Sequence, residues 1–143
     1  MSVRRFCTFH VGELLLGVEV DLVQEVLGEE PMIRVPLADP WVSGLLNLRG
    51  QIVTAIDARR RLGLAPRGPA ERTANIVLRT ADGSVSLVVD REGEVVDLPD
   101  AEVEPLPENV SPAIRSVVTG TCKVEEGLLL MLDAERTLTM GSD

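Results

Sequence analysis

From Arg4 to Val11 the chain alternates between polar and apolar positions, Gly12-Glu13 interrupts it, and Leu14 to Val20 turns apolar again. Two-residue periodicity broken by a glycine predicts a hairpin. Asp21 can cap a single helical turn, Leu22 to Gln24, by accepting from free backbone N–H groups while Gln24 reaches back. Ile33 to Val35 reads as a short strand. Pro31, Pro36 and Pro40 break the chain around it, because proline has no N–H for a ladder. Gly44 to Leu48 and Gln51 to Asp57 are apolar runs joined by Arg49-Gly50, a two-residue connection that predicts a tight hairpin. Asp57 then caps a short helix, Ala58 to Leu62, which Gly63 ends. Strands follow at Asn75 to Arg79, Val85 to Val89 and Gly93 to Leu98, the first two joined through Asp82-Gly83. A long loop, Pro99 to Pro112, precedes a last hairpin, Thr119 to Val124 and Leu128 to Leu132, about Glu125-Glu126-Gly127. Asp133 caps a final turn, Ala134 to Leu138. Many short strands with only fragments of helix predict an all-β barrel or sandwich. The stretch Ala65 to Thr73, rich in Pro, Gly and charge, reads as an exposed linker between two lobes.

The 143 residues, 45% of them hydrophobic, suffice for a real core. With two Phe, one Trp and no Tyr, that core must be built from Val, Leu and Ile, which favour strands. The formal charge of −9 repels a phosphate backbone, so nucleic acid is not an expected partner. Arg59-Arg60-Arg61 reads as a solvated helix face. The N-terminus lacks the apolar core of a signal peptide, and no apolar run approaches the roughly 18 residues of a membrane span, so no direct membrane insertion is expected. Cys7 and Cys122 lie far apart in apolar contexts and read as buried thiols in a cytoplasmic protein.

The chemistry that is missing narrows the function. His10 is the single histidine, and neither cysteine has a partner at metal-ligand spacing. The sequence contains neither a glycine-rich phosphate loop nor a Gly-x-Ser-x-Gly elbow. Glu29-Glu30 and Glu125-Glu126 read as solvated pairs in turns. No enzyme, metal or cofactor is expected.

The segment Trp41 to Leu64 (WVSGLLNLRGQIVTAIDARRRLGL), with Val23-Gln24-Glu25-Val26 before it and Leu87-Val88-Val89-Asp90 after it, resembles the CheW-like domain of bacterial chemotaxis signalling. The resemblance extends over nearly the whole chain, read as a single CheW-like domain, 1–143, with its linker near 65–73. It implies two intertwined five-stranded SH3-like β-barrels with short helical turns. It also implies a non-catalytic adaptor without cofactor, coupling the tips of methyl-accepting chemotaxis receptors to the regulatory domain of the histidine kinase CheA. Such an adaptor would work in the cytoplasm at membrane-associated receptor arrays. Carried over position by position, Glu25 and Arg59 face one another near the receptor-binding region. Val20, Val23, Val26, Val85 and Val96 line a groove that could receive a receptor helix, or else are core. Asn47, Leu48, Arg49 and Gly50 are assigned to the kinase side. There Gly50 supplies the turn and Leu48 the core, so Arg49 is the residue without a structural reason. Trp41 is a barrel lid or a core residue. Thr54-Ala55, Ala58 and Ser86 depart from the usual family pattern. Two alternatives stand beside the adaptor: a diverged member that binds one partner only, and a β-barrel that holds a small ligand between its lobes.

Overall fold

A computed structural model describes residues 2–36, 38–68 and 71–139. Among these residues ten strands form two five-stranded sheets. They are β1 (Val3–Val11), β2 (Leu14–Glu19), β3 (Val23–Leu27), β4 (Val42–Leu48), β5 (Gln51–Asp57), β6 (Ala74–Thr80), β7 (Gly83–Val89), β8 (Arg91–Pro99), β9 (Val118–Val124) and β10 (Gly127–Leu132). Three short helices join them: α1 (Ala58–Arg61), α2 (Pro112–Arg115) and α3 (Ala134–Leu138). Lobe A has the order β8-β1-β2-β10-β9 and lobe B the order β3-β6-β7-β5-β4. The expected all-β architecture of two five-stranded units is the one observed.

The lobes are two versions of one pattern. In each, a hairpin (β1–β2 or β6–β7) pairs in parallel with the last strand of a second hairpin, β10 on β2 and β5 on β7. The second hairpins match in register, irregularity included: Val42 faces Ile56 and Gly44 faces Ala55, as Val118 faces Leu132 and Gly120 faces Met131. Each sheet is then closed by an isolated bridge from the segment after its edge strand, Ile33 to Leu45 in lobe B and Glu104 to Thr121 in lobe A. The exchange lies at the edge: the strand following β1–β2 joins lobe B as β3, and the strand following β6–β7 joins lobe A as β8.

Two small clusters fill the lobes, Phe6, Leu15, Leu98, Cys122, Leu129 and Met131 in A, and Leu46, Leu48, Val53, Ala55, Val77 and Val88 in B. The largest cluster lies between the lobes and joins Phe9, Val11, Leu16 and Val18 to Ile56, Ile76, Leu78 and Leu87. Adjacent residues therefore serve different cores. Leu129 and Met131 point into lobe A while Leu130 and Leu132 join the seam. Strands buried on both faces read as continuous apolar runs, which is why Leu128 to Leu132 does not alternate. With each large buried side chain worth about 1.5–3 kcal/mol, the seam outweighs any single polar contact between the lobes.

The caps behave as expected: Asp57 Oδ1 accepts from the Arg59 N–H at 2.9 Å, Asp133 Oδ1 from the Arg136 N–H at 3.0 Å, and Gly63 follows α1 at φ 74°. Four expectations need correction. The turn near Asp21 is a 3-10 turn over Val20–Leu22 with no side-chain cap, and Gln24 lies in β3, where its Oε1 accepts from Ser84 Oγ at 2.6 Å. Ile33 to Val35 contributes one bridge residue instead of a strand. The loop before β9 contains α2, begun by Ser111-Pro112. The stretch 65–73 does not separate the lobes, because β5 and β6 lie in the same sheet; the crossings are at Val20–Leu22 and at Asp90.

Candidate functional site

The β4–β5 turn puts Arg49 and Gly50 at φ 53° and 88°, both left-handed, as a two-residue hairpin with inverted turn geometry requires. Asn47 Oδ1 accepts from the Gly50 N–H at 2.8 Å, and Leu48 is buried in lobe B. Asn47, Leu48 and Gly50 thus build the turn, and its product is the placement of Arg49. That guanidinium reaches β3 and grips Glu25 with both nitrogens, at 2.6 and 2.7 Å. Such a fork-to-fork pair fixes geometry as well as charge. Glu25 keeps 19% of its side chain in water and Arg49 72%, so the carboxylate is seated and the guanidinium presented. The pair holds the Glu25 carboxyl below the usual carboxylate range and raises Arg49.

This overturns the expected pairing of Glu25 with Arg59. Arg59 is turned the other way, into a node at the crossing from β7 to β8. Its Nη2 donates to Asp90 Oδ2 at 2.7 Å and its Nε to Asp90 Oδ1 at 3.0 Å. Arg67 joins from the connector, with Nε on Asp90 Oδ1 and Nη1 on Asp57 Oδ1, each at 2.9 Å, and Nη2 on the Val88 carbonyl. The Gly12 N–H of the β1–β2 turn donates to Asp90 Oδ2 at 2.6 Å. Burial works against the Asp90 charge, but the bonds from Arg59 and Gly12 and the charge of Arg67 prevail and lower its pKa. The supposed linker is therefore strapped to the fold by Arg67, whose side chain is only 11% exposed.

The five valines do not form one surface. Val20, Val23, Val26 and Val85 are half-buried against the seam, whereas Val96 packs into lobe A opposite Phe6. Trp41 is half-buried, with Arg61 stacked 4.2 Å from its ring; the same guanidinium donates to the Arg136 and Thr137 carbonyls of α3. Of the three arginines read as a solvated face, only Arg60 is free of such engagement among the described residues. His10 Nε2 meets Glu126 Oε2 at 2.8 Å, so Glu126 is not merely solvated. Ser86, where the family often has glycine, is buried with its hydroxyl donating to Asn75 Oδ1 at 2.9 Å. Both cysteines are buried and free.

Sequence reasoning missed an apolar stripe beside Arg49. Ile52 is 57% exposed and Ile33 60%, on the outer face of lobe B with the half-buried Leu45 between their rows. Its signal was present in Ile52, a polar-face position in the alternation of β5. An apolar cleft of about 470 Å³ lies elsewhere, where Leu14 and Leu128 of lobe A meet Leu64 after α1. No group of three or more possible metal ligands exists among the described residues, and no helix among them is long and apolar enough to cross a membrane.

The CheW-like domain model matches residues 5–141. The chain belongs to the CheW-like family. The family-level expectation therefore holds, and the chain is a chemotaxis adaptor, not an enzyme. It is 29% identical over 136 residues to the chemotaxis protein CheW of Klebsiella aerogenes, covering 95% of this chain and 82% of that protein. Against the CheW of Rhizobium meliloti the identity is 28%, covering 92% and 85%. The solved structure of the scaffolding protein TtCheW from Thermoanaerobacter tengcongensis superposes with a TM-score of 0.86 at 22% identity, covering 99% of this chain and 97% of that one, which establishes the CheW fold. Interaction with other chemotaxis signalling proteins follows from membership of this CheW-like family.

Proposed function

We propose that this chain couples chemoreceptor tips to the regulatory domain of a CheA-type histidine kinase in the cytoplasm, through two neighbouring surfaces of lobe B. The observation that carries the reading is the Glu25–Arg49 pair, an exposed guanidinium held rigid by a seated carboxylate. A pre-ordered charged group loses little entropy on binding and discriminates among partners by charge. Glu25 and Arg49 form one recognition unit for the receptor tip, joined by the adjacent Val23 and Val26; this moves Arg49 from the kinase side, where the resemblance put it, because it is paired with Glu25. Arg59 is withdrawn from that role because its donors are already used on Asp90 and Glu71. The apolar stripe of Ile33, Leu45 and Ile52 suits the kinase, since an exposed apolar stripe is surface that a protein partner can desolvate. A small-ligand barrel has less support, because the apolar cleft between Leu14 and Leu64 has few convergent polar groups, Asn109 and Ser111 among them.

Binding measured separately with a receptor-tip fragment and with a kinase regulatory domain tests the assignment. Arg49→Glu should weaken receptor binding roughly tenfold, and adding Glu25→Arg should restore part of it. Ile52→Asp should weaken kinase binding and leave receptor binding intact. An unaltered protein that binds neither partner overturns the adaptor; one that binds a single partner supports the diverged alternative instead.

A further inference from the structure

The seam between the lobes is apolar, and apolar attraction is non-directional, so directed bonds sharpen the angle that side-chain packing allows. Such bonds run from Arg61 of α1 to the Arg136 and Thr137 carbonyls of α3, and gather most densely at one corner. Asp90 lies where the chain leaves lobe B for lobe A. Its carboxylate takes hydrogen bonds from the Gly12 N–H in the lobe A hairpin turn, from Arg59 of α1 in lobe B, and from Arg67 of the connector. Asp57 closes the set by accepting from Arg67 and from the Arg59 N–H. Two carboxylates and two guanidiniums, between 11% and 16% exposed, thus balance in charge and occupy nearly every donor on defined vectors. The other crossing is built differently. Asp21, at the matching place between β2 and β3, is exposed, and its carboxylate has no hydrogen-bonding or ionic partner among the described residues. One crossing is clamped by paired charges, whereas the other is tied by Arg79, whose Nη1 donates to the Asp21 and Val23 carbonyls at 3.4 and 3.2 Å.

We propose that the node of Asp57, Arg59, Arg67 and Asp90 fixes the angle between the lobes. Buried polar networks of this kind contribute little net stability, since desolvation offsets attraction, but they penalise every arrangement in which a charge loses its partner. Asp90 and Arg67 are positioning residues in this scheme. They lie apart from the two lobe B surfaces proposed above, so their removal changes the angle of lobe A to lobe B more than binding to either partner.

The test uses the full chain with spin labels at Gln51→Cys in lobe B and Lys123→Cys in lobe A, both exposed positions. Cys7 and Cys122 are buried and escape labelling. The variant is Arg67→Met with Asp90→Asn, which keeps the charge balance and leaves Arg59 beside Asp57. The unaltered node should give one narrow distance distribution and the variant a broadened or displaced one. Affinities for each partner should stay within about threefold, since both proposed surfaces lie on lobe B. An unchanged distribution in the folded variant overturns the proposal. Should the double variant fail to fold, Arg67→Gln, which retains the Arg59–Asp90 pair, must show the same broadening at smaller amplitude, and its absence is equally decisive. If the distribution broadens yet the unaltered protein binds neither partner, the adaptor reading fails and the angular role stands.

Discussion

Gly44 is the position at which a single added methyl group should open lobe B. A Cβ there would lie 2.6 Å from the Ile33 carbonyl oxygen and 3.2 Å from Met32 Cβ. That oxygen cannot withdraw freely, because it accepts the Leu45 N–H at 2.8 Å, and the Ile33 N–H donates back to Leu45 at 2.8 Å. These two bonds are the bridge that closes the sheet at β4. Gly44→Ala must push the strands apart and break them. At about 0.5–1.5 kcal/mol per hydrogen bond, the loss is about 2 kcal/mol, which lowers the melting temperature by roughly 4–8 °C for a chain of this size. Gly28→Ala is the control, since nothing lies within 4 Å of its added Cβ. Circular dichroism gives the melting temperatures, and amide exchange at Ile33 and Leu45 shows whether the bridge has opened. A Gly44→Ala protein melting within about 1 °C of the control, with both amides still protected, refutes the reasoning.

Asp90→Asn should cost about 2 kcal/mol at pH 7, less than the ~3–5 kcal/mol of a fully buried pair because 16% of the side chain reaches water. Because the folded-state pKa of Asp90 is lowered, its contribution is present above the unfolded carboxyl value of about 4 and lost as pH falls through the folded value. Denaturant titrations should therefore show the variant and the unaltered protein converging in acid, and a gap independent of pH contradicts this. Burial raises the Cys7 and Cys122 thiols, so a thiol reagent at pH 8 should react only as fast as the protein unfolds; a rapid stoichiometric burst in native buffer disproves it. Arg61→Ala removes the cation stacked on Trp41, the chain's one tryptophan. Its emission should shift in wavelength or intensity with the fold retained, and an unchanged spectrum means that the stack is not populated.

Local chemistry was legible in the sequence. Asp57, Asp133, Gly63 and Arg49-Gly50 each act through neighbours a few residues away, and the structure has each where the spacing required. Contacts between distant segments were not legible. Glu25 lies close to Arg49 because β3 and β4 are the two edges of one sheet, and nothing local distinguishes that arrangement from one placing Arg59 opposite. The connector looked like a linker because Pro and Gly report backbone freedom, while the anchoring of Arg67 depends on two aspartates supplied by other strands. The duplication was hidden for a similar reason. Gly44 and Gly120, Asp57 and Asp133, and Leu62 and Leu138 repeat, but Arg49-Gly50 corresponds to Glu125-Glu126, so the hairpin turn has diverged where these packing and cap positions have not.

The exchange of edge strands also dictates the order in which the molecule can be completed as it leaves the ribosome. All five strands of lobe B have emerged by Val89, but lobe A then consists of one hairpin made at the very start. Its missing centre, β10, is the last of these ten strands in chain order and must slot between β2 and β9, next to residues made more than a hundred positions earlier. Closure over so long a loop is slow, and until it happens the apolar edge of β2 stays available to other nascent chains. Cutting the chain just before Gly127 therefore does not trim a tail; it withdraws the keystone of the lobe that synthesis began with.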